Sequence, residues 1–374
     1  MKSLRLTKLL ITGANGFVGK NLVLRLKELS EYEILTYVRG DSDADLSDRV
    51  LDAEIIIHLA GVNRPATSDM FAVVNSGLTL KIAEILSSHK SKTPVIFTSS
   101  SQVTLDNDYG RSKLDAENVL KELSRENGNP VSIFRLPGVF GKWCRPDYNS
   151  VVATFCHNIA NDLSIHISDK HANLRLLHID NVVESMLGAI KECRRGFSYI
   201  SIDNEFQITV GDLANQIKSF KECRSSLVSE RAGVGLIRAL YSTYISYLPP
   251  TEFSYSIPSH KDQRGVFVEM LKTQDSGQFS FFTAKPKTTR GGHYHHTKTE
   301  KFLVVKGNAR FNFRHILSNE IYSVETSGDH PEIVETVPGW AHDISNIGDD
   351  DLVVMLWANE IFDRDRPDTI SSEV

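Results

Sequence analysis

The sequence predicts an α/β domain, built on a doubly wound parallel sheet, followed by an all-β domain. In the first half, short apolar runs alternate with amphipathic segments of helical periodicity. This alternation favours a parallel sheet covered by helices on both faces. After residue 250, short strand-like runs follow one another with little helical signal, which is typical of an all-β barrel or sandwich. The stretch SYLPPTEFS joins the halves and carries two adjacent prolines.

The elements of the α/β domain follow in a regular order along the chain. Strands are predicted for the apolar runs KLLIT, EILTYV, AEIIIHLAG, PVIFTSS and PVSIFRLPGVFG. Helices are predicted between them, for KNLVLRLKELS, FAVVNSGLTLKIAEILSSHK and GRSKLDAENVLKELSREN.

The all-β domain is predicted from eight strand-like runs. They are GVFVEML, GQFSFFTA, KFLVVKG, NARFNFRH, EIYSVE, HPEIVETVPG, AHDISNIG and LVVMLWA. LIRALYSTYISYLPP, just before them, is expected to be a helix end and a linker. We therefore place the domains at residues 1–245 and 252–374.

The composition is that of a globular protein with 41% hydrophobic and 24% charged residues. The net charge of −5 argues against nucleic acid or an anionic membrane as a partner, because both require clustered basic surface. The four cysteines have no CxxC spacing. The apolar core of the N-terminal segment is too short for a signal peptide. We therefore expect a cytoplasmic protein without a membrane span.

A glycine-rich turn directly follows the first strand. ITGANGFVG places Gly13, Gly16 and Gly19 before a helix, with Asn15 and Phe17 among them. Glycines let the backbone approach a pyrophosphate, which then lies at the helix N-terminus. An ordinary tight turn is the alternative, but the position in the first βα unit favours a Rossmann-like dinucleotide site.

The tip of the second strand bears on the choice between NADPH and NAD. The strand ends LTYVRGDSD, so Arg39 lies where an NAD site usually has an acidic residue. Arg39 is suited to a 2′-phosphate, which favours NADPH. Asp41 keeps NAD as the alternative.

Tyr109 and Lys113 form the candidate catalytic pair. They are four residues apart, so they share one face of the predicted helix. A nearby ammonium is expected to lower the pKa of the phenol, which suits proton exchange with a carbonyl or alcohol during hydride transfer. Ser100, at the end of the preceding strand, is expected to hydrogen-bond the same substrate oxygen.

Together these motifs resemble the extended short-chain dehydrogenases/reductases that act on nucleotide sugars, over residues 1–240. HLAG resembles the family's strand beside the cofactor, which implies Leu59 and Ala60, and RLPGVFG resembles the segment near the nicotinamide, which implies Arg135. LRLLHIDNVV resembles the segment whose arginine meets the substrate diphosphate, here Arg175. Gly138 departs from the usual asparagine.

A histidine cluster dominates the all-β domain. In RGGHYHHTKTE, His293 and His295 alternate, so their rings point to one face of a strand, and Glu300 follows. His342 comes later, in PGWAHDISN. Imidazoles with one carboxylate suit Zn²⁺ or another divalent transition metal. The spacing resembles the two cupin motifs. His296 is expected to point outward, or to replace one of the ligands if the strand bulges.

A second resemblance overlaps the first. DQRGVFVEM and RGGHYHH are similar to segments of the deoxysugar 3,5-epimerases, which implies that Arg264 and Arg290 contact substrate. In those enzymes the corresponding histidine accepts a proton, so His293 has two competing roles. The full ligand set favours the role of metal ligand.

Across nearly its whole length, the chain resembles the bifunctional CapF-type enzymes of capsule and O-antigen synthesis. The resemblance implies C3 epimerisation of UDP-2-acetamido-2,6-dideoxy-β-L-arabino-hex-4-ulose, then NADPH reduction at C4, in a homodimer. One rival is a single-activity 4-ketoreductase with a structural, dimerising cupin. The other is a nucleotide sensor without activity, against which the Tyr109–Lys113 pair argues.

Overall fold

The computed structural model describes residues 5–63, 67, 71–296 and 298–374. The chain divides into two compact units, Met1–Ile217 with Ala239–Leu248, and Lys218–Arg238 with Pro249–Val374. Residues 218–238 thus group with the C-terminal unit, and the linear domain bounds given above stay a prediction. No described helix is both long enough and apolar enough to cross a membrane.

Among its described residues, the first unit contains nine strands and six helices that lie wholly within it. Its strands are β1 (Thr7–Thr12), β2 (Tyr32–Tyr37), β3 (Ile55–His58), β4 (Val95–Ser100), β5 (Val131–Leu136), β6 (Gly138–Phe140), β7 (Asn173–His178), β8 (Phe197–Ile200) and β9 (Phe206–Thr209). Its helices are α1 (Phe17–Leu29), α2 (Asp43–Asp52), α3 (Gly77–Ser88), α4 (Asp108–Asn127), α5 (Val151–Ala160) and α6 (Ile179–Glu192). A π-helical turn, Ala72–Ser76, precedes α3, and a 3₁₀ turn, Ser101–Thr104, precedes α4.

Six strands form a parallel sheet in the order β2-β1-β3-β4-β5-β8. Because successive side chains of a strand point to opposite faces, Leu9 and Ile11 pack into one core with α1 and α6, while Leu10 packs into the other with α2, α3 and α4. The predicted doubly wound α/β fold is therefore confirmed. The strand order reverses at β1, and this is where such sheets open a ligand crevice at their carboxyl ends.

One segment that was predicted to be a single strand forms two separate strands. PVSIFRLPGVFG was expected to be continuous, but β5 ends at Leu136 and β6 begins at Gly138. Pro137 between them has no N–H to donate to a strand ladder. β6 leaves the parallel sheet and pairs with β7 in a three-stranded sheet completed by β9.

The second unit is mainly antiparallel sheet. Its strands are β10 (Val228–Ser229), β11 (Ser259–Asp262), β12 (Gly265–Thr273), β13 (Gly277–Ala284), β14 (Thr289–Tyr294), β15 (Glu300–Lys306), β16 (Asn308–His315), β17 (Ile321–Ser327), β18 (Ile333–Glu335), β19 (Trp340–Asn346), β20 (Leu352–Ala358) and β21 (Ile370–Ser371). Helix α7 (Val210–Ser226) and helix α8 (Gly235–Ile245) precede the 3₁₀ turn Pro250–Glu252.

These strands make two sheets. One has the order β10-β12-β13-β20-β15-β18, with β11 paired to β12, and the other has the order β17-β16-β19-β14-β21. Buried side chains from both sheets form a single core that includes Phe282, Phe302, Phe311, Ile344 and Leu352. The all-β fold predicted for this part of the chain is therefore confirmed.

Candidate functional site

The turn between β1 and α1 is shaped for close backbone approach. Gly13 has φ +70°, and a Cβ there would lie 2.8 Å from the Ala60 backbone. A Cβ on Gly19 would lie 2.4 Å from the Gly13 carbonyl oxygen. Only glycine fits either position, so the first turn of α1 packs tightly against the ends of β1 and β3.

The other residues predicted for the cofactor surround this turn. Gly16 is the N-cap of α1 and donates its N–H to the Gly13 carbonyl across 2.9 Å. Asn15 is exposed, and Phe17 begins the helix. Leu59 and Ala60 follow β3 directly. The arrangement offers a helix N-terminus to an anion, as a pyrophosphate site requires.

At the tip of β2, Asp41 is already bound within the protein. Its carboxylate accepts hydrogen bonds from the Val38 N–H (2.9 Å) and from Arg49 (2.6 Å), and these bonds lower its pKa. Arg39, between them in sequence, is exposed. The exposed guanidinium, not the carboxylate, therefore faces solvent at the strand tip.

Tyr109 and Lys113 lie on the first turns of α4, next to the end of β4. Asn107 caps this helix by accepting the Gly110 N–H across 2.7 Å. Lys113 is buried and donates to the Thr98 carbonyl across 2.9 Å. Burial lowers the pKa of Lys113 to about 8, opposed by the charge of Glu117.

The expected lowering of the Tyr109 pKa is wrong for this structure. Burial raises the pKa of Tyr109, and a hydrogen bond with Ser100 opposes that rise only in part. The Lys113 side chain donates a hydrogen bond to the Thr98 carbonyl, and Lys113 is not among the causes of the Tyr109 pKa shift. The phenol therefore stays protonated at neutral pH, which suits it to donate a proton to a substrate oxygen.

Glu117 is a buried carboxylate one turn beyond Lys113 that sequence reasoning missed. It accepts from Arg135 at 3.0 and 2.6 Å and from the Tyr199 hydroxyl at 2.9 Å. The Arg135 guanidinium also lies 4.4 Å from the centre of the Tyr199 ring. Arg135, predicted to contact the cofactor, is thus held in place by α4. The i, i+4 spacing of Lys113 and Glu117 was the available signal.

Arg175, predicted to meet the substrate diphosphate, lies on β7 and is 63% exposed at its side chain. Its guanidinium pairs with both carboxylate oxygens of Glu205, at 2.5 and 2.9 Å. Two donors of its guanidinium are therefore engaged by Glu205 in an exposed ion pair, and the predicted contact with the diphosphate stays a prediction.

The second unit brings the four predicted metal ligands together. His293 lies on β14, His295 directly follows that strand, Glu300 begins β15, and His342 lies on β19. One ligating atom from each falls within 4.8 Å of all the others. His296 is exposed, as the strand alternation predicted.

The charges in this cluster favour ligation. Burial lowers the pKa of His293 to about 4, so its imidazole is neutral at physiological pH. Burial alone would raise the pKa of Glu300, but His295, His342 and the Lys298 ammonium outweigh it and lower that pKa. Lys298 lies 2.8 Å from Glu300 Oε1 and is itself buried. Sequence reasoning missed Lys298, although its two-residue spacing from Glu300 places both on one face.

The geometry fits a metal ion. His295 Nδ1 meets the carbonyl oxygen of Asp368, which can only accept, so Nδ1 carries a proton. In a neutral ring the lone pair of Nε2 then faces Glu300 Oε2 across 3.2 Å. His342 Nε2 lies 3.5 Å from the same oxygen, and neither ring nitrogen of His342 has a hydrogen-bond partner among the described residues. A cation among these atoms would satisfy all of them.

A cavity opens beside the cluster. Apolar side chains line it together with the polar groups of Arg290, His293, Glu300, His342 and Asp343. Arg290 is 13% exposed at its side chain, and its Nε and Nη2 have no hydrogen-bond partner in the described part of the chain. Asp262 is 3.7 Å away, beyond hydrogen-bond range, and pairs with Arg264 at 2.6 Å. The two predicted substrate arginines thus flank one carboxylate.

Both parts of the chain match known families. Residues 9–203 match the NAD dependent epimerase/dehydratase family, and residues 260–370 match the polysaccharide biosynthesis C-terminal domain. A UDP-2-acetamido-2,6-beta-L-arabino-hexul-4-ose reductase of Pseudomonas aeruginosa is 53% identical over 98% of this chain and 99% of its own length.

Two solved structures are similar to this chain, one over nearly its whole length and one over part of it. The capsular polysaccharide assembling protein CapF of Staphylococcus aureus superposes with a TM-score of 0.91 at 41% identity, over 98% of this chain and all of that one. A UDP-glucuronic acid 4-epimerase of Bacillus cereus, solved with NAD, superposes with a TM-score of 0.55 at 18% identity, over 64% of this chain and 98% of that one. That second likeness concerns the fold alone.

Proposed function

Because the chain belongs to the CapF-type family, which joins an epimerase/dehydratase domain to a polysaccharide biosynthesis C-terminal domain, we propose that it is a bifunctional nucleotide-sugar enzyme. Its substrate is UDP-2-acetamido-2,6-dideoxy-β-L-arabino-hex-4-ulose. The C-terminal domain inverts C3 and the N-terminal domain reduces the C4 ketone. The product is UDP-N-acetyl-L-talosamine. This compound is an intermediate toward UDP-N-acetyl-L-fucosamine, which is used for bacterial capsule or O-antigen.

The reduction rests on the Tyr109 site, which is the observation that carries the proposal. NADPH, when bound at the glycine-rich turn, supplies a hydride to C4. Tyr109 donates its phenolic proton to the C4 oxygen, and Ser100 holds that oxygen through its hydroxyl. The raised pKa of Tyr109 keeps the proton available until the oxygen gains charge. We further propose that the Lys113 ammonium, one helix turn away, partly offsets the cost of the phenolate that remains, although burial sets the net direction of the Tyr109 pKa.

The choice of NADPH is supported by the tip of β2. Asp41 is engaged by Val38 and Arg49, so it is poorly placed to accept a ribose hydroxyl. Arg39 is exposed and positively charged. A 2′-phosphate is the group that such a side chain recognises.

The epimerisation is supported by the cluster of His293, His295, Glu300 and His342. Zn²⁺ or another divalent transition metal, held there, supplies positive charge beside the substrate oxygen. Arg290 lines the same cavity with two buried nitrogens, Nε and Nη2, whose N–H groups a developing enolate would satisfy. We assign no residue as the base that removes the C3 proton.

The chemistry fixes the order of the steps. A ketone at C4 makes the C3 proton acidic, since the enolate delocalises charge onto oxygen. Reduction removes the ketone and with it the acidity. Inversion therefore precedes reduction, and reduction makes the new configuration permanent.

A single-activity 4-ketoreductase is the second candidate, because the name of the Pseudomonas relative describes only a reductase. In that case the C-terminal domain is structural and pairs two chains. We propose a homodimer in either case, which light scattering of the purified protein tests.

Isotope exchange separates the two candidates. The full chain is incubated with the 4-keto UDP-sugar in D₂O without NADPH, and NMR follows C3. We expect deuterium at C3 with the wild type and its loss with His342→Ala. Absence of exchange in a wild-type protein that still oxidises NADPH would leave only the reductase.

A further inference from the structure

We infer that the C-terminal tail, residues 366–374, orients the proposed metal ligands, and that Asp368 is its positioning residue. The inference rests on the metal site proposed above. Asp368 lies 73 residues beyond His295 in sequence, yet it contacts that ligand and the segment that follows it. Its backbone and its side chain make separate contacts there.

The backbone carbonyl of Asp368 fixes the state of the His295 ring. It accepts a hydrogen bond from Nδ1, so the proton of a neutral ring is on Nδ1 and the lone pair is on Nε2. Nε2 is the nitrogen that faces Glu300. An outer hydrogen bond of this kind sets both the tautomer and the direction of a metal-binding imidazole.

The side-chain carboxylate of Asp368 holds the link between two ligand strands. Oδ1 accepts the N–H of His296 across 2.9 Å, and Oδ2 accepts the N–H of Lys298 across 2.8 Å. These residues lie between His295 on one side and Glu300 on the other. One carboxylate therefore anchors the short connection whose ends carry two ligands.

The rest of the tail is fastened along β14. Residues Ile370–Ser371 pair antiparallel with Tyr294 and His293, and the Ser372 N–H donates to the Gly292 carbonyl across 3.0 Å. Arg314, on β16, donates to the Glu373 carbonyl and to the Ser372 hydroxyl. The tail thus contacts both β14 and β16. These contacts hold the segment that places Asp368 next to the proposed metal ligands.

A tail that only stabilised the fold would have a different signature. Loss of a purely structural strand lowers the unfolding temperature and leaves the ligand geometry of the folded protein unchanged. Loss of a positioning residue weakens metal binding in the folded protein, commonly by about 10–100-fold for outer-shell partners. The two roles separate in metal affinity and in ligand-field spectra.

The test uses the full chain as wild type, Asp368→Ala and Asp365→Ala. Asp365 is an exposed acid three residues earlier on the same stretch and serves as the matched control. Zn²⁺ affinity is measured by competition with a chromophoric chelator. Co²⁺ is added separately to the metal-free proteins, and its visible d–d absorption reports the ligand geometry.

We expect Asp368→Ala to bind Zn²⁺ at least about tenfold more weakly than the wild type and to change the Co²⁺ spectrum, while Asp365→Ala matches the wild type. Wild-type affinity and spectrum in a folded Asp368→Ala would overturn the inference and leave the metal site intact. A wild type that binds neither ion would instead overturn the metal site itself. If Asp368→Ala does not fold, Asp368→Asn, which keeps the side-chain volume, takes its place under the same criteria.

Discussion

The ammonium group of Lys113 donates a hydrogen bond to the Thr98 carbonyl across 2.9 Å, in a buried position beside Tyr109. Burial disfavours the charged form and lowers the pKa of Lys113 to about 8, whereas the neighbouring Glu117 carboxylate raises it. Lys113 is therefore mainly charged at neutral pH and neutral in moderately alkaline solution.

We expect kcat/KM for NADPH-dependent reduction to fall as the pH rises through about 8, because the ammonium is present below the pKa and absent above it. Glu117→Gln removes a charge that raises this pKa, so the fall should move to lower pH. Glu122→Gln, on the exposed face of α4, should leave the profile unchanged. A wild-type profile that stays flat to pH 10 would contradict the prediction.

Tyr109→Phe should lower the rate of NADPH oxidation by about 10²–10⁴-fold, the usual contribution of a positioned acid. Deuterium exchange at C3 should survive, since its site lies in the other unit. His342→Ala should show the reverse pattern, with exchange lost and reduction of the epimerised ketone retained. Steady-state kinetics and NMR on the same preparations measure both. A Tyr109→Phe protein with full turnover would refute the reductase assignment.

Arg290→Met should separate stability from activity. Two nitrogens of the buried guanidinium, Nε and Nη2, have no hydrogen-bond partner among the described residues. Replacing the side chain with an apolar one of similar volume should therefore leave the free energy of unfolding unchanged or raise it by up to about 1–4 kcal/mol. Exchange at C3 should nevertheless fall, because the cavity loses its cation. Chemical denaturation and the exchange assay test the two parts. Arg310→Met, at an exposed arginine on β16 that is paired with Glu325, is the control. A strongly destabilised Arg290→Met would show that Arg290 serves the fold.

Arg39→Ala should raise KM for NADPH by about tenfold, equivalent to ~1.4 kcal/mol, and leave KM for NADH nearly unchanged. The 2′-phosphate distinguishes the cofactors, and Arg39 is the exposed cation at that strand tip. Asp41→Asn should instead affect stability, because its carboxylate holds Val38 and Arg49. An equal rise in KM for both cofactors would show that Arg39 does not bind the 2′-phosphate.

Local patterns in the sequence were sufficient for much of the site. Gly13 and Gly19 predict a tight strand-to-helix turn, because only glycine tolerates the close backbone contacts found there. The spacing of Tyr109 and Lys113 matches one helix turn. His293 and His295 alternate as strand residues on one face must. Each of these signals spans only a few residues and depends on the period of a single element.

The remaining features required contacts between residues far apart in the chain. The pairing of Glu117 with Arg135 joins a helix to the next strand, and the contact of Asp368 with His295 joins the C-terminal tail to the metal ligands. The direction of the Tyr109 pKa shift also depends on burial, which no spacing reveals. The sequence by itself therefore determined most of the elements that form and proposed which of their residues are candidates for the chemistry. Tertiary structure alone decided which charges are paired and which are desolvated, because hydrogen bonding and burial arise only when separate elements pack together.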